Sequence, residues 1–373
     1  MSNGMFRSAH SGASLDWQHL TADCLEQLGP AAAGGAQVGF LYATDHLADA
    51  FEAIVARLRQ ATGIRSWIGA LGMGVMGDAR SYFDEPALAV MTAPLATDAT
   101  RLIAPFTGGE LPSGLADWTR ARPDSVAIVH GDGRAAGLAE GLGDLADLAG
   151  CFAIGGLGSS RVPPRQVAGA VSAGPLSGIA LAPDCIAAIG LTQGCSPVGS
   201  NRHRITKAEG GLIETLDDQP ALQALQAALL ELPPDEREHA ARRLHVALPI
   251  AGRSGSDYLV RNLVGVDPAN GTIAIGDDAE PGRELIFVRR DREAAAIDLR
   301  RMAARTRKAA PDARAALYFS CVARGPNMFP GQHGELRLLR AAIGELPLVG
   351  MFCDGEIFDA RLYGYTGVLV LLA

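Results

Sequence analysis

Three cysteines stand where apolar, strand-like runs are predicted to end. Cys195 lies in QGCSPVGS, Cys321 in FSCVARG and Cys353 in MFCDGE. A thiol becomes a nucleophile when a nearby cation lowers its pKa and a base takes its proton. Arg324 is the near cation for Cys321, and His333 is the nearest base in the sequence. The alternative is that each cysteine fills a tight β core as a small apolar residue.

A second candidate site is the acidic pair around Gly355. Asp354 and Glu356 are separated by one residue, so a regular strand would place them on the same face. With Arg324 at the end of the preceding strand, they predict a polar cluster at one sheet edge. Such a cluster can hold the ammonium and the carboxylate of a zwitterion through charge-assisted hydrogen bonds. A solvated turn is the alternative.

The third candidate is Gly72-Met73-Gly74, which opens a G-x-G-x-x-G motif ending at Gly77. Asp98 follows at about 20 residues, the acidic spacing of a dinucleotide fingerprint. That fingerprint also needs a long helix directly after the glycines, whose N-terminus holds the pyrophosphate. Pro86 ends any helix early here, so the motif favours a tight glycine turn at the edge of a cleft.

Composition narrows the class of protein. The chain has 373 residues, of which 48% are hydrophobic and 20% charged, so it is long and apolar enough for two folded domains. A net charge of −8 argues against nucleic-acid and anionic-membrane partners. Six cysteines without C-x-x-C spacing and eight scattered histidines predict no metal and no disulfide framework. No cofactor motif is complete, and no apolar leader precedes Trp17, so we expect a cytoplasmic protein.

A strand–helix–strand unit of about 30–40 residues is predicted three times. The units span 38–77, 125–160 and 316–357, and each second strand is predicted to enter a turn at a glycine that follows Ile or Val, namely Gly69, Gly155 and Gly350. Short meander-like strands lie between the units. The pattern predicts an α/β to α+β fold in two domains. Mixed sheets would be covered by helices on their outer faces, in an α/β/β/α-like layering.

Three stretches resemble the FIST family, named for F-box and intracellular signal transduction proteins. They are Gly194–Leu222, Ala316–Leu339 and Pro347–Phe358, and they include GCSPVGSNRHRITKAEGG, FSCVARGPNMFPGQHGE and PLVGMFCDGEIF. The resemblance implies a FIST N-terminal-like domain at 36–218 and a FIST C-terminal-like domain at 245–373. A helical linker at 219–244 would join them, after an N-terminal extension at 1–35.

The same resemblance implies a sensory module that binds a small ligand such as an amino acid, without catalysis, and that signals through a protein partner. The implied ligand site combines the residues singled out above: Gly72, Met73, Gly74, Cys195, Cys321, Arg324, Cys353, Asp354, Gly355 and Glu356. The family's first glycine turn reads I-G-C-S-x-x-G-E, but here Ala70, Leu71 and Val75 replace its polar residues, so the pocket should be more apolar. Two alternatives stay open: a cysteine-dependent enzyme using Cys321 or Cys353, and a protein-interaction scaffold.

Overall fold

The computed structural model of the protein describes residues 4–29, 37–241, 243–250, 257–331 and 333–373. These residues form two compact units. The first unit runs to Gln193 and resumes with Ala296–Leu362 and Thr366–Ala373. The second unit consists of Gly194–Ala295 and Tyr363–Tyr365.

The helices, in chain order, are α1 (Trp17–Leu28), α2 (Phe51–Thr62), α3 (Leu115–Arg120), α4 (Leu138–Asp147), α5 (Ala221–Leu230), α6 (Pro234–Ala241), α7 (Arg292–Ala309), α8 (Gly325–Met328) and α9 (Gly334–Ile343). Each helix of the described residues is too short or too polar to cross a lipid bilayer.

The strands, in chain order, are β1 (Arg7–Gly12), β2 (Val38–Thr44), β3 (Ser66–Gly72), β4 (Gly74–Gly77), β5 (Arg80–Phe83), β6 (Ala87–Ala93), β7 (Thr100–Phe106), β8 (Val126–Gly131), β9 (Phe152–Gly158), β10 (Gln166–Ala168), β11 (Ala170–Ser172), β12 (Leu176–Leu181), β13 (Ile186–Thr192), β14 (Cys195–Pro197), β15 (His203–Glu209), β16 (Leu212–Leu216), β17 (Gln219–Pro220), β18 (Leu244–Pro249), β19 (Tyr258–Asp267), β20 (Thr272–Ile275), β21 (Glu284–Arg290), β22 (Ala315–Cys321), β23 (Leu348–Phe358), β24 (Arg361–Tyr363) and β25 (Gly367–Leu372).

Two mixed sheets form the first unit. Sheet A has the order β1-β6-β2-β3-β10-β11, and sheet B has the order β13-β25-β22-β23-β9-β8-β12-β7, with β4 and β24 also paired to β23. A single apolar core joins Phe40 and Met91 of sheet A to Ile128 and Val349 of sheet B. The two sheets therefore pack face to face, because each buries one apolar face against the other.

Helices cover the outer faces of this sandwich. Leu20 of α1 and Phe51 of α2 pack on the outside of sheet A, against Leu41. Leu142 of α4 packs on the outside of sheet B, against Val129. This arrangement confirms the predicted α/β/β/α-like layering of mixed sheets and outer helices.

The second unit contains a small closed barrel, where the sequence predicts only short meander-like strands. Its strands follow the order β21-β15-β16-β20-β19-β18, and β18 pairs back to β21 to close the barrel. Leu225 of α5 packs with Ile205 and Phe287 in its core. Closure pairs the edges of the meander, which an open sheet would leave exposed.

Each compact unit combines segments that are far apart in the chain and that are brought together by strand pairing. β25 pairs with β13 and β22, and β23 pairs with β4 and β9, so C-terminal segments complete a sheet begun much earlier in the chain. The stretch predicted as a linker, 219–244, lies within the second unit. Within the predicted extension, 1–35, β1 pairs with β6 along its length. The boundaries predicted from the sequence, 36–218, 219–244 and 245–373, remain predictions about the family domains. They do not coincide with the two compact units.

The three glycines predicted to form turns lie instead inside strands. Gly69, Gly155 and Gly350 are the register partners of Leu41, Val129 and Tyr318 on the neighbouring parallel strand. A Cβ atom at any of the three positions would overlap the carbonyl oxygen of that partner. The prediction of turns was therefore wrong: each glycine allows two parallel backbones to approach closely.

This close approach generates a stability prediction. Replacing Gly350 by Ala should lower the free energy of unfolding by about 3 kcal/mol or more, because the methyl group has no space beside the Tyr318 carbonyl. Gly143→Ala is the matched control, since nothing lies within 4 Å of a Cβ in that position of α4. The control should raise stability by about 0.5–1 kcal/mol. Chemical denaturation measures both, and equal stabilities for the two variants would contradict the packing explanation.

Candidate ligand-binding site

The parallel strands β22 and β23 bring two of the predicted cysteines together. Cys321 ends β22 and is the register partner of Cys353. Arg324 follows three residues later, in the connection that leads to α9. Because α9 forms the crossover between the two parallel strands, the connection starts at the carboxyl end of β22. Cys353 lies inside β23, which continues to Phe358, so the prediction that Cys353 ends its strand was wrong. The predicted proximity of Cys321, Arg324 and Cys353 is thus a result of the local topology.

A buried ion pair lies beside this strand end. Arg324 is 1% exposed and Glu335 is 4% exposed. Arg324 Nε donates to Glu335 Oε1 over 2.8 Å, and the Tyr318 hydroxyl donates to the same oxygen over 2.8 Å. Ser320 Oγ contacts both carboxylate oxygens, at 3.0 and 2.9 Å. These hydrogen bonds offset the cost of burying the two charges, and removal of one partner would cost about 3–5 kcal/mol.

Glu356 adds a second buried carboxyl group to the same region. It is fully buried, and its Oε2 accepts from Thr366 Oγ1 at 2.7 Å and from the Thr366 amide at 3.2 Å. Among the described residues, no hydrogen-bond partner reaches its Oε1. Burial raises the pKa of Glu356 to about 8, and repulsion from Glu335 adds to the increase, while Thr366 and Arg324 oppose it. One guanidinium is therefore shared by two acids, and Glu356 holds a proton at neutral pH.

Asp354 and Glu356 do not share a face. Asp354 is exposed, whereas Glu356 is buried. The pairing of β23 with β9 shifts register between Cys353 and Glu356, so β23 carries one extra residue there. Gly355, with φ of 119°, lies within this bulge. The bulge separates the two acids, so the predicted clamp of Asp354, Glu356 and Arg324 around a zwitterion is not formed by alternation along a regular strand.

The glycine motif at Gly72–Gly74 approaches the same strand. Gly74 begins β4, which pairs antiparallel with β23. A Cβ on Gly74 would lie 2.6 Å from the Tyr82 carbonyl and 2.8 Å from the Phe352 ring. No helix opens after these glycines, because β4 turns directly into β5. The structure thus places the glycines as close-packing positions and offers no helix N-terminus for a pyrophosphate.

Ser159 links the glycine motif to the strand of Cys353. Its hydroxyl donates to the Phe352 carbonyl over 2.6 Å and accepts from the Met73 amide at 2.9 Å. The link lies where β4 and β9 meet along the same edge of β23. The Ser159 hydroxyl consequently holds the backbone of Met73 next to the backbone of Phe352 on β23.

The cysteines resemble core residues more than nucleophiles. A Cβ on Gly156 would overlap the Cys353 sulfur, so that glycine makes the room the thiol occupies. Burial, with Glu356 and Cys321 nearby, raises the pKa of the Cys353 thiol well above its usual range. Cys195 belongs to the second unit, where it pairs with Arg290 on β21. The structure therefore does not place Cys195 within the unit that holds the other predicted residues.

A cleft opens beside the buried ion pair. Its volume is about 20 Å³, room for about one water-sized group. Phe329, Leu336 and Phe352 supply apolar walls, and Glu335 of the ion pair also lines the cleft. At the rim, His333 Nδ1 accepts from the Ser81 amide at 3.0 Å. A ligand larger than a water molecule would therefore have to widen the cleft or bind across its mouth.

Several of these groups were not predicted from the sequence. Glu335 carried a detectable signal, because it lies four residues before Leu339 and one before Leu336 on the apolar face of α9. An acid on an apolar helix face needs a buried partner. Ser159 carried no such signal, because its partners Met73 and Phe352 are 86 and 193 residues away in the chain. Thr366 carried none either, although its partner Glu356 is only ten residues away.

Comparisons with known proteins identify both halves of the chain. The FIST N domain model matches residues 37–219, and the FIST C domain model matches residues 221–359. Two uncharacterised proteins of Mycobacterium tuberculosis, from strains CDC 1551 and H37Rv, are each 34% identical over 194 residues. An uncharacterised protein of Mycobacterium bovis is 33% identical over 190 residues. Each match covers 48% of this chain and 49% of the relative, so the similarity spans about half the length of these curated relatives.

The shared guanidinium predicts a pH-dependent stability. The pKa of Glu356 is about 8 in the folded protein and about 4.5 when unfolded, so the folded state binds more protons between these values. Stability from this group is complete below pH 4.5 and is lost as pH rises through 8. Between pH 6 and pH 8 the loss should be about 2 kcal/mol. Glu356→Gln, which keeps the shape of the neutral acid, should abolish that loss in chemical denaturation.

The exposed Glu26 of α1 provides the control for this measurement. Glu26→Gln should retain the decline seen in the wild-type protein. A Glu356→Gln protein that still loses the same stability between pH 6 and pH 8 would show that another group titrates.

Thiol burial predicts selective labelling. In the native protein at pH 8, iodoacetamide should modify Cys353 at least about tenfold more slowly than the partly exposed Cys195, because a raised pKa and burial both deplete the thiolate. Mass spectrometry of the labelled peptides measures the two rates, and denatured protein supplies the reference. Rapid native labelling of Cys353 would instead favour the cysteine-dependent enzyme.

Proposed function

Because the chain belongs to the FIST family, a family of sensory domains, we propose that it is a small-ligand sensor that acts without catalysis. We propose as its ligand an amino acid or a related small metabolite, and as its output an intracellular signalling protein that responds to the bound state. The cleft beside the Arg324–Glu335 pair is the observation that carries this proposal.

The chemistry of the cleft supports binding. Apolar walls at Phe329 and Phe352 would exclude water from a small side chain, and the Glu335 carboxylate would orient a polar group. The hydrogen bonds to Glu335 fix that carboxylate before any ligand arrives. A fixed acceptor lowers the entropy cost of binding, as expected of a preorganised site.

The high pKa of Cys353 supports a role without catalysis. A nucleophilic thiol needs a depressed pKa, and the surroundings of Cys353 act in the opposite direction. His333, the base nearest to Cys321 in the sequence, uses Nδ1 to contact the Ser81 amide and hydroxyl. These contacts favour a structural role for both groups.

A thermal-shift screen of the full chain against amino acids and small amines tests the proposed function. A ligand at 100 times its Kd should stabilise the protein by about 2.7 kcal/mol. Ser81→Leu should remove the shift, because Ser81 lines the cleft and a larger side chain would fill it. Ser113→Leu, at an exposed position, is the matched control and should keep it. No shift with any compound, or equal shifts in both variants, would argue against a sensor that uses this cleft.

A further inference from the structure

A groove opens on the outer face of the small barrel in the second unit. Its volume is about 440 Å³, within the range for small-ligand pockets. Its lining residues belong to β16, β17, β19, β20 and the turn between the last two strands. The groove is therefore built by one compact unit and needs no residue of the cleft beside Arg324.

The groove forms where β16 separates from β20. The last register pair between these strands joins Ile213 to Ile273, and β16 then pairs with β17. Glu214 and Thr272 are the next residues beyond that pair. Because Ile213 and Ile273 lie in the barrel core, the alternation of side chains along a strand directs Glu214 and Thr272 outward. Both of these side chains line the groove.

An acid, a hydroxyl group and a second acid form one row across three strands. Thr272 is the register partner of Asp267 on β19, and Glu214 lies on its other side, on β16. Neighbouring strands are about 4.8 Å apart, so the Cα atoms of the two acids are separated by roughly 10 Å or slightly more. Two carboxylates at this spacing can contact opposite sides of one planar cation that lies between them.

The hydroxyl in the middle of the row is buried and unsatisfied. Thr272 is 8% exposed and lines the groove. Over the described ranges of the chain, its hydroxyl has no hydrogen-bond partner. A buried polar group without a partner costs free energy, which a ligand can recover by hydrogen bonding to it. The Thr272 hydroxyl therefore marks a position for a polar group in the groove.

The lining of the groove is negatively charged. As far as the described residues show, it contains Glu214 and Asp267 but no arginine or lysine. Hydrogen bonds from the Asn270 side chain and from the amides of Ala269 and Asn270 hold the pKa of Asp267 below its usual value. Lys207 Nζ contacts Glu214 Oε2 at 2.5 Å, but the lysine side chain is 67% exposed, and exposed ion pairs contribute little. The groove therefore favours a cation that reaches both acids.

The apolar residues around the groove favour an arginine on a peptide over a simple cation. Leu212, 42% exposed, and Pro220 lie in the lining, where they can contact an aliphatic stem. On β19, Val264 and Val266 are 63% and 49% exposed. Apolar surface thus continues beyond Asp267, further than one side chain would cover, and suits the residues that flank an arginine.

Going beyond the proposed function, we propose that the groove is a docking site for a protein partner and binds an arginine side chain on an extended segment of that partner. The planar guanidinium donates to the carboxylates of Glu214 and Asp267 and to the Thr272 hydroxyl oxygen. The aliphatic stem packs on Leu212 and Pro220. The association is non-covalent.

Fluorescence anisotropy with labelled peptides and the full chain tests the inference. The probe is a capped glycine-leucine-arginine-leucine-glycine peptide, and its matched control carries citrulline, which keeps the shape of arginine without the charge. The arginine peptide should bind at least about tenfold more tightly than the citrulline peptide. A lysine peptide should bind with intermediate affinity, because a compact ammonium group cannot contact both acids at once. Added salt should weaken binding of the arginine peptide and leave the citrulline peptide unaffected.

Two variants assign the binding to the row of polar groups. Glu214→Gln should weaken the arginine peptide about tenfold. Thr272→Val, which keeps the shape of the side chain, should weaken it about threefold without loss of stability in chemical denaturation, because the hydroxyl has no partner to lose. Glu280→Gln is the matched control, an exposed acid of the same unit outside the groove lining, and should bind as wild type. Asp267 is left intact because its carboxylate also closes the β19–β20 turn.

The outcomes separate this inference from the proposed function. Equal affinity for the arginine and citrulline peptides, or wild-type affinity in Glu214→Gln, would overturn the inference and leave the sensor proposal standing. Selective arginine binding by a protein that gives no thermal shift with any small molecule would support the inference and contradict the sensor. Self-association of the protein in sedimentation velocity that Glu214→Gln abolishes would assign the groove to a second copy of the chain and overturn the inference.

Discussion

The close approach of two parallel backbones governs the architecture of the first unit. A side chain at Gly69, Gly155 or Gly350 would collide with the carbonyl oxygen of the residue opposite it on the neighbouring strand. Glycine, which has no side chain, avoids that collision. Sheet A contains one such pair and sheet B contains two. The pairing at Gly350 fixes the register of β22 with β23, and this register sets Cys321 beside Cys353. The ion pair and the cleft follow from that register, because the connection that carries Arg324 and Glu335 begins where β22 ends, beside Cys353 of β23.

Arg324, Glu335 and Glu356 are charged or ionisable side chains in an otherwise apolar interior near the end of β22. Apolar residues of similar volume would often stabilise the interior as well as a buried ion pair does. The presence of Arg324, Glu335 and Glu356 in this interior is therefore not explained by stability alone. A protonated Glu356 next to a fixed ion pair can change its charge near neutral pH. The Phe329 ring covers the Arg324 guanidinium, whose Cζ lies 5.1 Å from the ring centroid.

The three strand–helix–strand units could be predicted from the sequence because each contains its own apolar pattern. Apolar runs predicted β2, β8 and β22, and apolar residues at helical spacing predicted α2, α4 and α9. The closure of the barrel was not readable, since the β18–β21 pairing joins segments about 40 residues apart. Part of the candidate site could be predicted from the sequence, and part could not. Arg324 was found because it follows an obvious strand, and Cys353 because it lies in an apolar run. The separation of Asp354 from Glu356 was missed because a bulge at Gly355 breaks the two-residue period.

The pairing of β25 with both β13 and β22 has a consequence for how the protein comes to be made. A ribosome releases β13 long before β25, yet these strands are neighbours in sheet B. During synthesis, the edges of β13 and β22 that pair with β25 stay unpaired until β25 has left the ribosome. Nascent chains with such exposed apolar edges are targets for chaperones that bind extended segments. Sheet B is therefore completed only after translation has passed Leu372, and a nonsense mutation before β25 would leave the edge strand β13 without its partner in that sheet.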